Sequence, residues 1–298
     1  MNYLKHFVSA SAPGLLVVAK YLATCSEAVT EQALGSVLAP FAITEKEDAG
    51  AALKAALPVG EHLGLFEVRV DGGRRRSWSL HDSVRGVVEQ ADGEFGTRRF
   101  YALVLRLLGE RARSAVEARE QPSDLARALT WLLQRDPLRG WSTAWGEGTE
   151  KRFTEGGMKS AVDTKEQWAA VVRWVSALGL GNQTATGAGR SKGVVMIDPS
   201  RAIRDVLATM PVLLPADEWL RQLYAQIPVL GDHRLVEDLP EGSKSTSGVP
   251  GAVALALRKL ELEKRVELVS SADAMGAAFF RLGKEKRVGH IRVLEVTG

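Results

Sequence analysis

Residues 66–80 read FEVRVDGGRRRSWSL, and this stretch decides the predicted fold of the first part of the chain. Apolar Phe66 and Val68 alternate with charged residues, and Trp78 and Leu80 follow on the far side of the Asp-Gly-Gly sequence at 71–73. Alternation with a period of two on both sides of a glycine-containing turn is typical of a β-hairpin. The stretch therefore predicts two antiparallel strands joined by a tight turn.

Helical patterns precede this hairpin. Apolar residues at helical spacing predict helices over residues 11–23 and 29–38. Thr44 followed by Glu47 forms a capping box for a third helix, which is expected to end before Pro58. Three helices followed by a two-stranded hairpin is the plan of a winged helix, which is a variant of the helix-turn-helix unit.

A similar order of helices and strands recurs twice further along the chain, which predicts repeated units. The sequence thus predicts a mainly α protein with small β-hairpins (α+β), built from three winged-helix units joined by a helical linker region. The predicted bounds are 1–81 for the first unit, 82–157 for the linker region, 158–212 for an irregular second unit and 213–298 for the third.

Three local patterns carry more specific expectations. Residues 140–157 are rich in Gly, Thr and Trp, which is typical of a connecting loop whose tryptophans pack against neighbouring domains. Asp163 with Glu166 is expected to cap the helix that follows. In the third unit, the strand around Phe280 is expected to form a hairpin with the strand that begins at Val266.

Composition narrows the class of protein. The 298 residues are 45% hydrophobic and 25% charged, as in a globular protein, and the net charge of +3 is a mild basic excess. The single cysteine, Cys25, excludes an intramolecular disulfide and a cysteine-based zinc cluster. The apolar stretch at residues 15–23 contains Lys20 and is shorter than the ~20 residues of a membrane-spanning helix. We therefore expect a cytoplasmic protein that has no membrane partner.

The histidines show no pattern that indicates catalysis. His6, His62, His81, His233 and His290 are isolated in the sequence, and none has a second ligand at the spacing of a metal site. We therefore expect no catalytic residues, no metal ion and no cofactor, and we expect that the protein is not an enzyme.

Basic residues cluster at the first hairpin. Arg74, Arg75 and Arg76 directly follow the turn at 71–73, and Arg69 lies on the incoming strand. Guanidinium groups at a wing tip can contact phosphates or enter a narrow minor groove of DNA. A solvated hairpin tip without a partner is an equally good interpretation, because runs of charge are often only exposed faces.

Further candidate DNA contacts lie on the third helix of the first unit and in two later clusters. The candidates on the third helix are Lys46 and Lys54. Acidic Glu45, Glu47 and Asp48 lie beside them, so binding of a protein is as good an interpretation of this helix as base recognition. The loop at 179–193, GLGNQTATGAGRSKG, lacks the ending of a phosphate-binding loop and is interpreted as a flexible wing or a plain connector. The candidates in these three places are Lys46, Lys54, Arg190, Lys192, Lys284, Lys286 and Arg287.

Three segments resemble a known family. They are WSLHDSVRG at 78–86, WVSALGLG at 174–181 and IDPSRAIRDVL at 197–207. In these segments the chain is similar to the DpdG proteins of bacterial clusters that insert 7-deazaguanine bases into DNA and restrict unmodified DNA. The resemblance implies a non-enzymatic accessory subunit that works beside an ATPase or helicase and a nuclease in defence against phages.

The leading hypothesis is a double-stranded DNA-binding subunit of a DNA-processing or anti-phage complex. The alternative is a tandem winged-helix scaffold that binds protein subunits without touching DNA, as kleisin-binding subunits do. A transcription regulator ranks third, because it would need one such unit together with a dimerisation or ligand domain.

Overall fold

Three small antiparallel sheets divide the helices into three successive groups. This computed structural model describes residues 1–38, 49–70, 75–184, 193–241, 248–270, 278–282 and 284–294. Within these ranges the protein is mainly helical, and each sheet has three or four short strands. The predicted class, mainly α with small β-hairpins (α+β), is confirmed.

The first group ends in the hairpin that the sequence predicts. Its three strands lie in the order β1-β3-β2 and all pairs are antiparallel. Buried Trp78 lies on the central strand, opposite Val29 on one side and Val68 on the other. The elements are α1 (Tyr3–His6), α2 (Ala12–Ala23), β1 (Val29–Thr30), α3 (Glu31–Leu38), α4 (Ala49–Leu63), β2 (Phe66–Val70) and β3 (Arg76–Leu80).

Two details of this group differ from the expectation. Val29 and Thr30 form a strand that pairs with β3 and do not begin a helix. Pro58 does not end the third helix, since α4 continues through it to Leu63. Burial of Val59 and Leu63 in the core offsets the roughly 3 kcal/mol that a proline inside a helix costs. The predicted capping box at Thr44 lies outside the described residues.

A long helix connects the three groups. After α5 (Asp82–Glu89), α6 (Gly93–Glu117) runs for 25 residues and buries Phe100, Val104 and Leu108 on one face. It packs against helices of the first group and against helices further along the chain. At Gly109 the approach is so close that a Cβ atom would lie 2.5 Å from the ring of Pro228.

The second group repeats the order of the first. Its strands lie in the order β4-β6-β5, again antiparallel throughout. Ser123 caps the first helix, and the indole N–H of Trp168 donates to the Ser142 carbonyl at 3.0 Å, which ties the third helix to the first strand. The elements are α7 (Asp124–Leu133), β4 (Trp141–Ser142), a π-helical turn (Trp145–Thr149), α8 (Glu150–Glu155), α9 (Lys165–Ala177), β5 (Gly181–Thr184) and β6 (Val194–Ile197).

The prediction of a connecting loop at residues 140–157 is wrong. This segment contains β4, the π-helical turn and α8. Trp141 and Phe153 are buried and pack with their ring centroids 5.6 Å apart, so burial of aromatic area orders the segment. The predicted cap at Asp163 is also wrong, because Thr164 and Gln167 form the capping box of α9.

The third group has the same strand order with one addition. Its sheet runs β7-β10-β8, and β9 pairs with the first half of β10. The predicted hairpin between the strands at Val266 and Phe280 is therefore wrong, since both strands pair with β10. The elements are α10 (Ser200–Val206), a 3-10 turn (Leu207–Thr209), β7 (Leu213–Pro215), α11 (Ala216–Gln226), a 3-10 turn (Pro228–Leu230), α12 (His233–Glu237), α13 (Gly251–Leu262), β8 (Val266–Ser270), β9 (Ala278–Leu282) and β10 (Lys284–Val293).

All three groups thus share one strand order. In the first and second groups a helix, a short strand, two helices and two further strands follow each other, whereas the third group has three helices between β7 and β8 and the additional strand β9. In each group the last strand lies between the short first strand and the strand that follows the helices. The second group takes α7, β4 and α8 from the range that the sequence assigned to a linker, 82–157. The domain bounds themselves stay predictions.

Two buried carboxylates join elements that are far apart in sequence. Asp124 accepts the backbone N–H groups of Leu4 and Lys5 at 3.0 Å each, which holds α1 against α7. Asp198, at the end of β6, accepts from Lys259 Nζ at 2.5 Å and from Ser200. Burial would raise the pKa of Asp198, but the hydrogen bonds from Lys259 and Ser200 outweigh it and lower that pKa.

No helix in the described part of the chain is both long enough and apolar enough to cross a membrane.

The Asp124 contact makes a testable prediction about stability. Asp124→Asn places an amide NH2 where a carboxylate oxygen now accepts from backbone N–H groups. We expect a loss of about 1–3 kcal/mol in the free energy of unfolding, the cost of leaving a buried donor without its acceptor. Urea denaturation measures this loss. Exposed Asp163→Asn is the control and should change stability by less than about 0.5 kcal/mol. Equal stability of the two variants would contradict the role of Asp124.

Candidate nucleic-acid interface

The hairpin of β2 and β3 carries basic residues on both of its faces. Arg69 lies opposite Ser77, and Val70 lies opposite Arg76. Because successive side chains of a strand point to opposite faces, Arg69 shares the face of Ser77, whereas Arg76 shares the face of Trp78. The sequence alone shows that these arginines lie beside the turn. The pairing register of β2 with β3 shows which face of the hairpin each of them occupies.

The arginines of this hairpin are exposed and carry uncompensated charge. Arg69, Arg75 and Arg76 are all exposed. Within the described ranges, none of the three has an ion pair with a carboxylate, unlike Arg85, Arg204 and Arg234. Arg74 lies outside the described residues. Positive groups of this kind remain available to an anionic partner.

Packing at the base of the hairpin fixes its position on the helices. The ring of Phe66 lies against α4 at Gly60, where a Cβ atom would be only 2.1 Å from the ring. Trp78 and Leu80 are buried on the same face as Phe66. The base of the hairpin is therefore held by apolar contacts, and its arginine-bearing end extends beyond them.

Helix α4, which corresponds to the predicted third helix of the first unit, contributes little charge. Lys54 is exposed on α4, and Glu61 is exposed about two turns further along the same helix. His62 Nδ1 lies 2.6 Å from the hydroxyl of buried Tyr3, so its ring serves a structural contact. Lys46 lies outside the described residues. In the described part of α4 the basic character rests on Lys54 and on this engaged histidine.

In the basic cluster of the third group, Lys286 is paired with a carboxylate. Lys286 Nζ lies 3.8 Å from Glu261 and 3.4 Å from the Leu268 carbonyl. The neighbouring Arg292 pairs with Glu267 at 2.8 Å. Arg287 is exposed on β10. Lys284 begins β10, but its side chain is outside the described part, and Arg190 and Lys192 lie in a segment that is outside it as well.

A second group of arginines, which the sequence analysis missed, lines a cavity of about 410 Å³ in the second group of elements. It consists of Arg135, Arg139 and Arg152. Trp131 lies in the last turn of α7 and Arg135 lies two residues after the end of this helix, and their spacing of four residues is the signal that could have indicated the group. Trp141 and Trp168 are buried in the core, so their rings are not available for stacking on bases.

Fold and site together define a mainly helical protein with three small sheets of one topology and an exposed, arginine-bearing hairpin on the first. The sequence model of a family described as DpdG-like matches residues 1–274, so the chain belongs to the DpdG-like family. The resemblance drawn from the three sequence segments is thereby confirmed. No curated protein and no solved structure matches the chain.

The face assignment in the first hairpin can be tested by a matched pair of substitutions. Ser77→Glu places a carboxylate opposite Arg69, whereas Ser79→Glu places the same group opposite Glu67. Favourable and unfavourable cross-strand pairs each amount to roughly 0.2–1 kcal/mol, so S77E should be more stable than S79E by about 1 kcal/mol. Urea unfolding gives the difference. Equal stabilities, or the reverse order, would mean that the register is not the one described.

Proposed function

We propose that this protein is a non-catalytic DNA-binding subunit of a bacterial DNA-modification or restriction complex, and that the first hairpin is its main DNA contact. The observation that carries the proposal is the exposed end of β2 and β3. There, Arg69, Arg75 and Arg76 have no carboxylate partner among the described residues. When cations in this position contact DNA phosphates, the counterions condensed on the DNA are released, and this release drives binding to the duplex.

Each of the three groups of elements is proposed to be a winged-helix module. Support comes from the shared strand order, with the last strand between the other two, and from the order of helix, strand, two helices and two strands in the first and second groups. In such modules the third helix and the hairpin, or wing, are the parts that contact DNA. In the first module these parts are α4 and the hairpin of β2 and β3.

Family membership supports the biological setting. The DpdG-like assignment suggests an accessory protein in a multi-protein DNA-modification system. The proposed partners are double-stranded DNA and protein subunits, among them an ATPase or helicase and a nuclease. The protein is proposed to act in the cytoplasm, without a metal ion or cofactor, and to leave catalysis to its partners.

A second function, binding of protein partners, is favoured for the third module. Its basic residues Lys286 and Arg292 are paired with glutamates, so that surface offers less charge to phosphates. The module exposes large apolar side chains, with Val212 69% and Leu262 81% accessible. Exposed apolar residues suit a protein interface better than a DNA backbone.

The DNA-binding proposal is tested by substituting Arg69, Arg75 and Arg76 with alanine together. Affinity for a 20-base-pair duplex is measured by fluorescence anisotropy at several salt concentrations. The slope of log affinity against log salt should decrease by about one unit for each phosphate that the variant no longer neutralises.

The control replaces three arginines that have ion pairs with carboxylates, Arg106, Arg221 and Arg292, and it removes the same total charge. It should leave the slope close to that of the wild type. An unchanged slope in the hairpin variant, or the same decrease in both variants, would reject the hairpin as the DNA contact.

The scaffold function is tested by co-purification with the proteins encoded next to this one. Val212→Ser and Leu262→Ser together should reduce recovery of a partner several-fold, while the hairpin variant should recover it as the wild type does. Loss of the partner with the hairpin variant, and not with the apolar variant, would contradict the assignment of roles to the first and third modules.

A further inference from the structure

The cavity of the second module lies between the end of α7, the turn that follows it, β4 and α8. Its walls include the rings of Trp131 and Trp141 and the side chains of Arg135, Arg139 and Arg152. The three arginines come from three separate points of the chain, so folding brings them together. A volume of about 410 Å³ lies within the range of small-ligand sites.

Two of these guanidinium groups are held in place before any ligand binds. The Arg152 guanidinium lies 3.2 Å from the centre of the Trp141 ring and donates a hydrogen bond to the Gly140 carbonyl at 2.9 Å. The Arg135 guanidinium lies 4.6 Å from the centre of the Trp131 ring. Cation–π contact with buried rings limits the rotamers of both side chains, which reduces the entropy lost on binding.

Like charges lie close together in this cavity. Burial, together with the charges of Arg139 and Arg135 and against an opposing effect of Asp136, lowers the pKa of Arg152 to about 10. Arg152 therefore stays protonated at neutral pH while it is destabilised by two like charges. An anion placed among the three would relieve this repulsion.

Three carboxylates also line the cavity, and two of them make contacts elsewhere. Asp136 accepts the backbone N–H of Leu138 at 2.9 Å, and Glu155 lies 3.6 Å from Lys151 Nζ. The third, Glu241, is exposed. As far as the structure describes the chain, no carboxylate lies within ion-pair distance of Arg139 or Arg152.

We propose that this cavity binds a phosphate group, carried either by a free nucleotide or by DNA. One guanidinium can bind both oxygens of a carboxylate. Three guanidinium groups around one cavity can bind a group with more charged acceptor oxygens, such as a phosphate. The site is distinct from the first hairpin and does not depend on it. Arg139, which is exposed, completes the site, whereas Arg135 and Arg152 also support the tryptophans of the core.

The test uses the full chain with Arg139→Gln, because this side chain is exposed and its removal should not disturb the core. Isothermal titration calorimetry is carried out with inorganic pyrophosphate, with ATP and with a 20-base-pair duplex. Removal of a charge-assisted hydrogen bond should weaken binding about tenfold or more. Arg139→Lys, which keeps the charge but not the two-pronged geometry, should lie between the wild type and R139Q.

The control is Arg106→Gln, an exposed arginine of α6 that pairs with Glu110. It should bind each probe within about twofold of the wild type. The duplex is also titrated into R139Q made in the protein that already carries the three hairpin substitutions. A further loss of affinity there assigns the phosphate to DNA, and a loss with ATP or pyrophosphate assigns it to a nucleotide.

Two outcomes would overturn the phosphate site: no binding of any probe that depends on Arg139, or an equal loss of affinity in R139Q and R106Q. Both readouts are separate from the salt slope of the hairpin variant. Failure of the phosphate site and failure of the DNA-binding hairpin can therefore be told apart.

Discussion

The structure depends on the burial of one face of α6. Phe100, Val104 and Leu108 on this helix are almost completely inaccessible, and Gly109 allows the backbone to approach Pro228 of the third module. The helix contacts α2, α4 and α5 on one side and α7, α10 and α12 on others. A small unit such as the second group, Asp124–Ile197, buries a smaller fraction of its surface than a larger domain does, so it gains stability from packing against its neighbours. Packing against a shared helix gives the three modules one contiguous core.

Much of the fold could be predicted because it is written in local patterns. The period of two at residues 66–70 and the helical stripes of α6, α7 and α13 depend on neighbours in sequence. The errors arose where distant residues decide the outcome. Pro58 stays inside α4 because Val59 and Leu63 reach the core, and β4 is a strand because it pairs with β6 across 50 residues. Likewise, β8 pairs with β10, and no pattern in the sequence around β8 indicates this partner.

The candidate sites show the same division between local and distant information. The arginines at the first turn and the basic residues of the third module look alike in sequence. Folding brings Glu261 and Glu267 to the second set and leaves the described members of the first without a carboxylate. The arginines of the cavity are separated by up to 17 positions, from 135 to 152, and by a proline turn, so their convergence depends on how α7, β4 and α8 pack. Charge clusters thus become informative when their counter-charges are located.

The register of the first hairpin has a geometric consequence. With Arg69 on one face and Arg76 on the other, this β-ribbon is cationic on both flanks and not on a single side. A ribbon of this kind, inserted edge-on, would meet the sugar–phosphate walls of both DNA strands at once. The affinity of the ribbon for DNA would then depend on the width of the groove, which varies with sequence, more than on the hydrogen-bonding edges of individual base pairs.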